Sequence, residues 1–337
     1  MKVVAITGPR QSALLDKPDP RAEGDFVVVK ITCAPMCTEY KGYANGQTTD
    51  CLGHEAAGEV VEVAQPGRVK IGDRVVVMPL YPCGRCRHCL AGQYIHCEFQ
   101  HNPPAACGPA VAATYAQYTV KPDWMLLPIP AGLSDAHASM ACCGLGPAFG
   151  AMERMNVNAF DTLLVTGLGP VGLGAVIAAS HRGARVIGVE SNPYRAALAR
   201  ELGAEEVLDP MTGNVVTRLR DLTEGAGVDK GVDCSGAPQA QRLLIDALRR
   251  RGQMCFVGEG GELAIRVGDD MLRKGLSLHG QWHWGLSGAP LMMQLIAANR
   301  HKLERLITHT FPMRSVAEAW ELQLTGRCGK IVLHPWA

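Results

Sequence analysis

The chain has 337 residues, enough for two domains, because one hydrophobic core rarely grows beyond about 250–300 residues. Its 33 Lys and Arg nearly balance its 32 Asp and Glu. The electrostatic field of the chain is therefore too weak to indicate nucleic acid or an acidic membrane as partner. The apolar run before Gly8 and Pro9 is too short for a signal peptide or a membrane span, which predicts a cytoplasmic protein.

The first part of the chain, from Lys2 to about Leu145, is typical of a compact, mainly β domain. Runs rich in β-branched residues are separated there by Gly, Pro and Asp turns. The clearest predicted strands are residues 26–32, 59–63 and 74–78.

Four of the thirteen cysteines follow the spacing C-x2-C-x2-C-x7-C: Cys83, Cys86, Cys89 and Cys97. The short spacings let successive thiolates turn toward one ion, and the longer arm closes a tetrahedron. Four thiolates leave no open position, so the pattern predicts a structural zinc site. The alternatives are an iron–sulfur cluster and a redox dithiol. The chain lacks the fourth Cys after three residues, followed by Pro, that is typical of a ferredoxin-type cluster.

From Asp161 onward, short apolar strands alternate with amphipathic stretches, a pattern that predicts a parallel, doubly wound sheet of an α/β fold. The predicted strands are residues 162–166, 185–190, 231–234 and 253–257. The predicted helices between them are residues 173–182, 194–202 and 239–250.

A glycine-rich motif follows the first of these strands and precedes an apolar helix, which is the context that a dinucleotide-binding fingerprint requires. It consists of Gly167, Gly169 and Gly172 with Pro170 and Val171 between them. The glycines permit a tight turn and close approach of a pyrophosphate, and the helix N-terminus offers N–H donors. The motif therefore predicts a bound dinucleotide.

Glu190 ends the next predicted strand, where a carboxylate accepts hydrogen bonds from ribose hydroxyls and repels a 2′-phosphate, so NAD is favoured over NADP. Arg195 is close enough in sequence to contact the adenine or a phosphate. Val257, at the end of a later strand, completes the predicted cofactor-binding set. The alternative is that Glu190 is a solvated strand end.

The last part of the chain has mixed texture, with predicted helices at residues 291–305 and 315–325 and a closing strand at residues 330–334. Trp282 and Trp284 end a predicted last strand of the sheet, and a period of two places both on one face. There they would line a substrate cleft, form a subunit contact or pack in the core.

Together these motifs resemble the zinc-containing medium-chain dehydrogenases, the family of alcohol, sorbitol and threonine dehydrogenases. The resemblance extends over nearly the whole chain in the family's order: Cys37, Gly53-His54-Glu55, Gly72-Asp73-Arg74-Val75, the cysteine lobe, residues 114–118, the glycine motif, residues 232–236 and residues 329–333. It implies a GroES-like catalytic domain at residues 1–147 with a zinc lobe at about 80–100, a Rossmann domain at 148–282, and a segment 283–337 that returns to the catalytic domain.

The resemblance also implies a catalytic zinc held by Cys37, His54 and one of the pair Cys142 and Cys143, of which counting back from Phe149 selects Cys143. Such a set leaves a position open for a substrate oxygen. Polyol-type members use the Glu after the zinc-binding His, so Glu55 is expected as an alternate ligand or a neighbour of the ligands.

One run departs from the family pattern. After the first zinc-binding Cys the family has a small residue, then Ser or Thr, then Asp, and often a His two positions later. This chain has Thr38, and then Glu39 in place of the hydroxyl residue, Tyr40 in place of Asp and Gly42 in place of His. Our hypothesis is that Glu39 takes the proton of the alcohol, with a pKa raised by partial burial. The alternatives are Thr38 as the proton-carrying group and Glu39 as a salt-bridge partner.

The expected activity is hydride transfer between a secondary alcohol or polyol and NAD, in an enzyme with two zinc ions per chain. The substrate would be a small molecule, and the resemblance suggests a homodimer or homotetramer. Two alternatives remain open: a zinc-free quinone or enoyl reductase on the same scaffold, and a non-catalytic dinucleotide-binding protein.

Overall fold

The computed structural model describes all residues from 1 to 337 and divides the chain into two compact units. The first unit comprises Met1–Gly144, Gly285–Arg300 and Ile307–Ala337; the second comprises Leu145–Trp284 and His301–Leu306. The segment 283–337, expected as one return to the first domain, is thus interrupted by His301–Leu306. None of the helices combines the length and apolar character needed to cross a membrane.

The strands, in chain order, are β1 Lys2–Gly8, β2 Gln11–Asp16, β3 Phe26–Pro35, β4 Ala56–Glu62, β5 Arg74–Val77, β6 Tyr118–Pro122, β7 Leu126–Pro128, β8 Thr162–Thr166, β9 Arg185–Val189, β10 Glu206–Leu208, β11 Val228–Asp233, β12 Leu248–Phe256, β13 Ser277–Gly280, β14 Ile307–Pro312 and β15 Lys330–His334. The α-helices are α1 Glu39–Asn45, α2 Arg87–Leu90, α3 Asp135–Ser139, α4 Gly146–Met155, α5 Pro170–His181, α6 Pro193–Leu202, α7 Val215–Leu222, α8 Pro238–Ala247, α9 Ala289–Ala298, α10 Arg300–Leu306 and α11 Val316–Thr325.

The first unit is built on a mainly antiparallel sheet of order β14-β15-β3-β4-β5-β7, with β6 paired to β3 and a separate β1-β2 ribbon. The central strand β3 is long because its run of β-branched residues is buried along most of its length. Its antiparallel partner β4 aligns Ala57 with Cys33, so the end of β3 lies beside the start of β4. This register places the segments that flank the two strands next to each other.

The second unit is a six-stranded sheet of order β10-β9-β8-β11-β12-β13, and every strand pair in it is parallel. Helices separate its successive strands, so the doubly wound α/β fold predicted from the alternating pattern is confirmed. Helix α6 begins where the Asn192 side chain accepts hydrogen bonds from the backbone N–H groups of Tyr194 and Arg195.

Two helix predictions for the later part of the chain are wrong. The helix expected at residues 291–305 is two helices, α9 and α10, which break at Asn299, whose side-chain amide bonds back to the Leu295 carbonyl at 2.9 Å. The helix expected to reach residue 250 ends at Ala247, because Leu248 pairs with Val228 at the start of β12.

The two tryptophans also do not share a face. Strand β13 ends at Gly280, and His283 has a φ of 61°, so the period-two alternation has stopped before the pair. Trp282 is 51% exposed, whereas Trp284 is 1% exposed and lies edge-on to Phe149. Core packing therefore accounts for one indole only.

Candidate functional site

The four cysteines of the lobe converge as the spacing predicts. Their sulfurs all lie within 4.8 Å of one another, with Cys86 Sγ at 3.5 Å from Cys89 Sγ and at 3.8 Å from Cys97 Sγ. A tetrahedral site with Zn–S bonds of about 2.3 Å separates its sulfurs by roughly 3.8 Å, so the donor set fits zinc. Hydrogen bonding from the Cys89 backbone lowers the pKa of the Cys86 thiol to about 6, whereas burial raises the pKa of the Cys89 thiol.

A second cluster brings together the donor atoms of Cys37, His54, Glu55 and Cys143, again within 4.8 Å of one another. His54 Nε2 lies 3.2 Å from Cys143 Sγ. Cys37 follows the end of β3, while His54 and Glu55 precede the start of β4, so the register of these two strands places them together. Two thiols and an imidazole at this distance fit a zinc site with an open position.

Gly53 allows His54 to enter this cluster. Its φ is 81°, a conformation that favours glycine, and a Cβ atom there would lie 2.4 Å from Thr114 Oγ1 and 2.5 Å from the Tyr115 ring. Cys142, in contrast, lies outside the cluster. It is fully buried, with its thiol 3.5 Å from the Val77 carbonyl.

Glu39 is bound by three donors around the first two ligands. Its Oε1 lies 2.9 Å from His54 Nδ1, and its Oε2 accepts hydrogen bonds from the Tyr115 hydroxyl at 2.9 Å and the Cys37 N–H at 3.1 Å. Burial raises the pKa of the Glu39 carboxyl, but the hydrogen bond and charge of His54 outweigh it and leave the pKa at about 2. The expectation of a raised pKa is therefore wrong.

This geometry gives Glu39 a different task. A carboxylate on Nδ1 fixes a histidine ring in the orientation that presents Nε2 to a metal. Thr38, the alternative proton-carrying residue, is exposed at the start of α1, and its side chain makes no capping hydrogen bond.

Glu55, the fourth member of this cluster, is held from two sides. Its Oε1 forms a 2.7 Å ion pair with Lys330 Nζ from β15, and both side chains are essentially inaccessible to solvent. Its Oε2 accepts a 3.1 Å hydrogen bond from the Cys143 N–H. Burial raises the pKa of Glu55 to about 7, against the opposing charge of Lys330. Sequence reasoning missed Lys330 as a site residue, although a lysine inside an apolar closing strand was the available signal.

The glycine motif in the second unit adopts the arrangement that its spacing predicts. Helix α5 begins at Pro170, directly after the turn. A Cβ atom on Gly172 would lie 1.9 Å from the Gly167 carbonyl oxygen, and one on Gly167 would lie 2.6 Å from Ser235 Cβ. A Cβ atom on Gly169 would meet nothing within 4 Å, so this glycine is not required by the packing of the chain itself. Space beside a backbone at a helix N-terminus fits a pyrophosphate.

Glu190 lies across this turn. Its Oε2 accepts a 2.8 Å hydrogen bond from the Leu168 N–H, and its Oε1 accepts one of 2.9 Å from the Asn192 N–H. Arg195, on α6, has a buried Nε without a hydrogen-bond partner. Val257 follows β12, and its N–H bonds the Asp233 carbonyl at 2.9 Å.

Asp233 is a buried residue that the sequence analysis did not select. Its carboxylate accepts hydrogen bonds from Thr166, Ser235, Gly236 and Gln241 at 2.6–3.1 Å and has no cationic partner. These bonds fix the loop that follows β11, against which Gly167 packs. The available signal was a carboxylate at the end of an apolar strand.

Comparison with known proteins identifies the family of the chain. Residues 23–131 match the alcohol dehydrogenase GroES-like domain, and residues 170–298 match the zinc-binding dehydrogenase domain. An uncharacterized zinc-type alcohol dehydrogenase-like protein, YphC of Escherichia coli K12, is 32% identical over 307 residues, which cover 89% of this chain and 83% of that protein.

Two further relatives are similar over almost their full length. The D-arabitol-phosphate dehydrogenase of Enterococcus avium is 29% identical, covering 96% of this chain and 94% of its own. A solved structure of an NAD-dependent alcohol dehydrogenase superposes with a TM-score of 0.84 at 25% identity, covering 99% of both chains. The chain belongs to the zinc-type medium-chain alcohol dehydrogenase family.

Proposed function

We propose that this protein is a zinc-dependent dehydrogenase that oxidises a secondary alcohol or polyol with NAD, giving a ketone, NADH and a proton. The observation that carries the proposal is the convergence of Cys37, His54 and Cys143, whose donor atoms all lie within 4.8 Å. The polyol substrate class is supported by the relative that acts on D-arabitol phosphate.

The site residues of the first unit have distinct tasks in this proposal. Cys37, His54 and Cys143 hold the catalytic zinc, which when bound supplies a Lewis acid for the alcohol oxygen. Glu39 orients His54 and already accepts three hydrogen bonds, so it does not take the proton of the alcohol. We assign the relay of the alcohol proton to the hydroxyl of Thr38, which would accept that proton while releasing its own to solvent, to which it is exposed.

The cofactor assignment rests on the second unit. The open space at Gly169, the helix N-terminus at Pro170 and the carboxylate of Glu190 support NAD, and a relative whose name states NAD dependence shares the fold. A cytoplasmic location and assembly as a homodimer or homotetramer belong to the same proposal; sedimentation velocity would measure the assembly.

Metal analysis combined with a substrate screen tests this function. We expect two zinc ions per chain, reduction of NAD with one or more polyols, cyclitols or simple secondary alcohols, and loss of turnover after treatment with 1,10-phenanthroline. Reduction of quinones or enoyl compounds that survives the chelator would instead support the zinc-free reductase. One zinc per chain, NAD binding and no turnover would support the non-catalytic alternative.

The glycine motif gives a matched pair of variants. Gly169→Ala should leave thermal stability unchanged, because its Cβ atom meets nothing within 4 Å, but should weaken NAD binding about tenfold, which corresponds to ~1.4 kcal/mol. Gly172→Ala should destabilise the fold by about 1–3 kcal/mol, because its Cβ atom would lie 1.9 Å from the Gly167 carbonyl oxygen. Calorimetric titration and thermal denaturation measure both; unchanged NAD affinity in Gly169→Ala would contradict the cofactor site.

Glu39→Gln tests the orienting role against the base role. An amide places its NH2 group either against His54 Nδ1 or against the Cys37 and Tyr115 donors, so we expect the catalytic zinc to be bound about 10–100-fold more weakly. Competition with a chelator measures this affinity, and Glu59→Gln, an exposed carboxylate on β4, is the control. Normal zinc affinity together with a missing ionisation in the pH profile of kcat would restore Glu39 as the base.

A further inference from the structure

Both backbone polar groups of Cys37 are bound by side chains. The Cys37 N–H donates to Glu39 Oε2, and the Cys37 carbonyl accepts a 3.0 Å hydrogen bond from Gln323 Nε2. The preceding residue, Met36, donates its N–H to the Ile331 carbonyl at 2.8 Å. The backbone that presents the Cys37 thiol is therefore held at three consecutive points, and one of them is a glutamine distant in sequence.

Gln323 is poorly explained as a stabilising residue. It lies on the buried face of α11, one to two turns after Val316, Ala319 and Trp320, and it is only 7% exposed. Its second polar atom, Oε1, is buried without a hydrogen-bond partner. A buried acceptor left unpaired costs folding free energy and offsets what the hydrogen bond to the Cys37 carbonyl contributes, so net stability does not account for a glutamine at this position.

The helix that carries Gln323 packs against α1 and Tyr115, next to the segment that holds Cys37. Trp320 stacks on Tyr43 of α1 at 4.7 Å between ring centroids and lies 6.3 Å from the Tyr115 ring. Tyr115 in turn donates its hydroxyl to Glu39. The amide of Gln323 is thus held at a fixed position relative to the loop between β3 and α1.

We propose that Gln323 is a positioning residue that directs the Cys37 thiol into the catalytic zinc cluster by holding the Cys37 carbonyl. The inference rests on the proposed function, because it requires a metal in the cluster of Cys37, His54 and Cys143. It acts through the backbone of a ligand, so it affects how firmly the metal is held more than how stably the chain folds.

Gln323→Met tests this role, since it keeps the side-chain length and removes both the donor and the unpaired acceptor. We expect the catalytic zinc to be released to a chelator about tenfold faster and the release from the cysteine lobe to be unchanged. Tm should change little, because the lost hydrogen bond to the Cys37 carbonyl and the removal of the unpaired Oε1 have opposite effects. Cys143→Ala, which retains only the lobe zinc, identifies which phase of release belongs to which site. In cobalt-substituted protein, the visible bands of the catalytic site should shift.

The matched control is Gln241→Met. Gln241 is also a buried glutamine, but its amide donates to the Asp233 carboxylate, at 3.0 Å, in the second unit. This control should lower Tm and leave both release phases unchanged. If Gln323→Met released zinc at the wild-type rates and kept the wild-type cobalt spectrum, the inference would be overturned. It would also be overturned if the variant failed to fold, or if its Tm fell and zinc release became equally faster at both sites. A wild-type chain that binds only the lobe zinc would instead refute the proposed function, and this inference with it.

Discussion

If the chain binds the two zinc ions proposed above, Cys143→Ala should lose one of them and lower turnover with the best alcohol substrate by about a thousandfold or more. The expectation follows from its place in the cluster, where its sulfur lies 3.2 Å from His54 Nε2. A Lewis acid contributes several kcal/mol to the stabilisation of developing charge, and each 1.36 kcal/mol corresponds to about tenfold in rate. Metal analysis and steady-state kinetics measure the two losses.

The neighbouring cysteine supplies the control. Cys142 is fully buried and its thiol faces the Val77 carbonyl outside the cluster, so Cys142→Ala should cost about 1 kcal/mol of unfolding free energy and keep both zinc ions. The opposite pattern, with zinc lost from Cys142→Ala and retained in Cys143→Ala, would show that the wrong member of the pair was selected. Thermal denaturation of both variants separates loss of metal from loss of fold.

Signals that are complete within a short segment could be predicted from the sequence. The cysteine lobe has all four ligands between residues 83 and 97, and the glycine motif is bounded by a strand and a helix that the apolar pattern also predicts. In both cases the geometry depends on local spacing. Strand β8 and strand β15 accordingly begin and end at the predicted residues.

The polar contacts around the catalytic cluster could not be predicted, because they join residues that are far apart in sequence. Lys330 meets Glu55 across 275 positions, and Gln323 meets Cys37 across 286. In the sequence, Lys330 and Gln323 are polar residues within largely apolar elements. The same pattern is expected where one side of a strand or helix faces solvent. Glu39 shows the same limit, since its burial was foreseen while the donors that reverse the pKa shift were not.

Lys330→Met should destabilise the first unit by about 3–5 kcal/mol. The substitution leaves the Glu55 carboxyl buried with the Cys143 N–H at 3.1 Å and His54 Nε2 at 3.9 Å as its polar neighbours, and an unpaired buried charge is far more costly than a missing pair. Because the pKa of Glu55 is about 7 with Lys330 in place and rises further without it, the loss should grow as the pH rises above about 7 and shrink at lower pH, where the carboxyl takes up a proton. The double variant Lys330→Met/Glu55→Gln should recover much of the loss, because it removes the charge as well. Chemical denaturation of the three chains measures these differences.

Lys121→Met is the matched control, because Lys121 is also buried, at 3% exposure, but forms no ion pair. Its Nζ donates to the Leu80 carbonyl at 2.8 Å and lies 3.7 Å from the Tyr81 ring centroid, and burial lowers its pKa to about 7. Its loss leaves no carboxylate behind, so it should cost less than about 3 kcal/mol. Equal costs for the two lysines would show that the Glu55 charge is not what Lys330 stabilises.

The same variant also bears on whether Glu55 can ligate zinc. A metal ion in the cluster would offer the Glu55 carboxylate a new partner in place of Lys330. If Glu55 is able to turn toward the metal, the destabilisation should be clearly smaller in the zinc-loaded chain than after the catalytic zinc is removed. If the carboxylate stays bound to the Cys143 N–H, the two forms should differ little, and Glu55 acts only as a neighbour of the ligands.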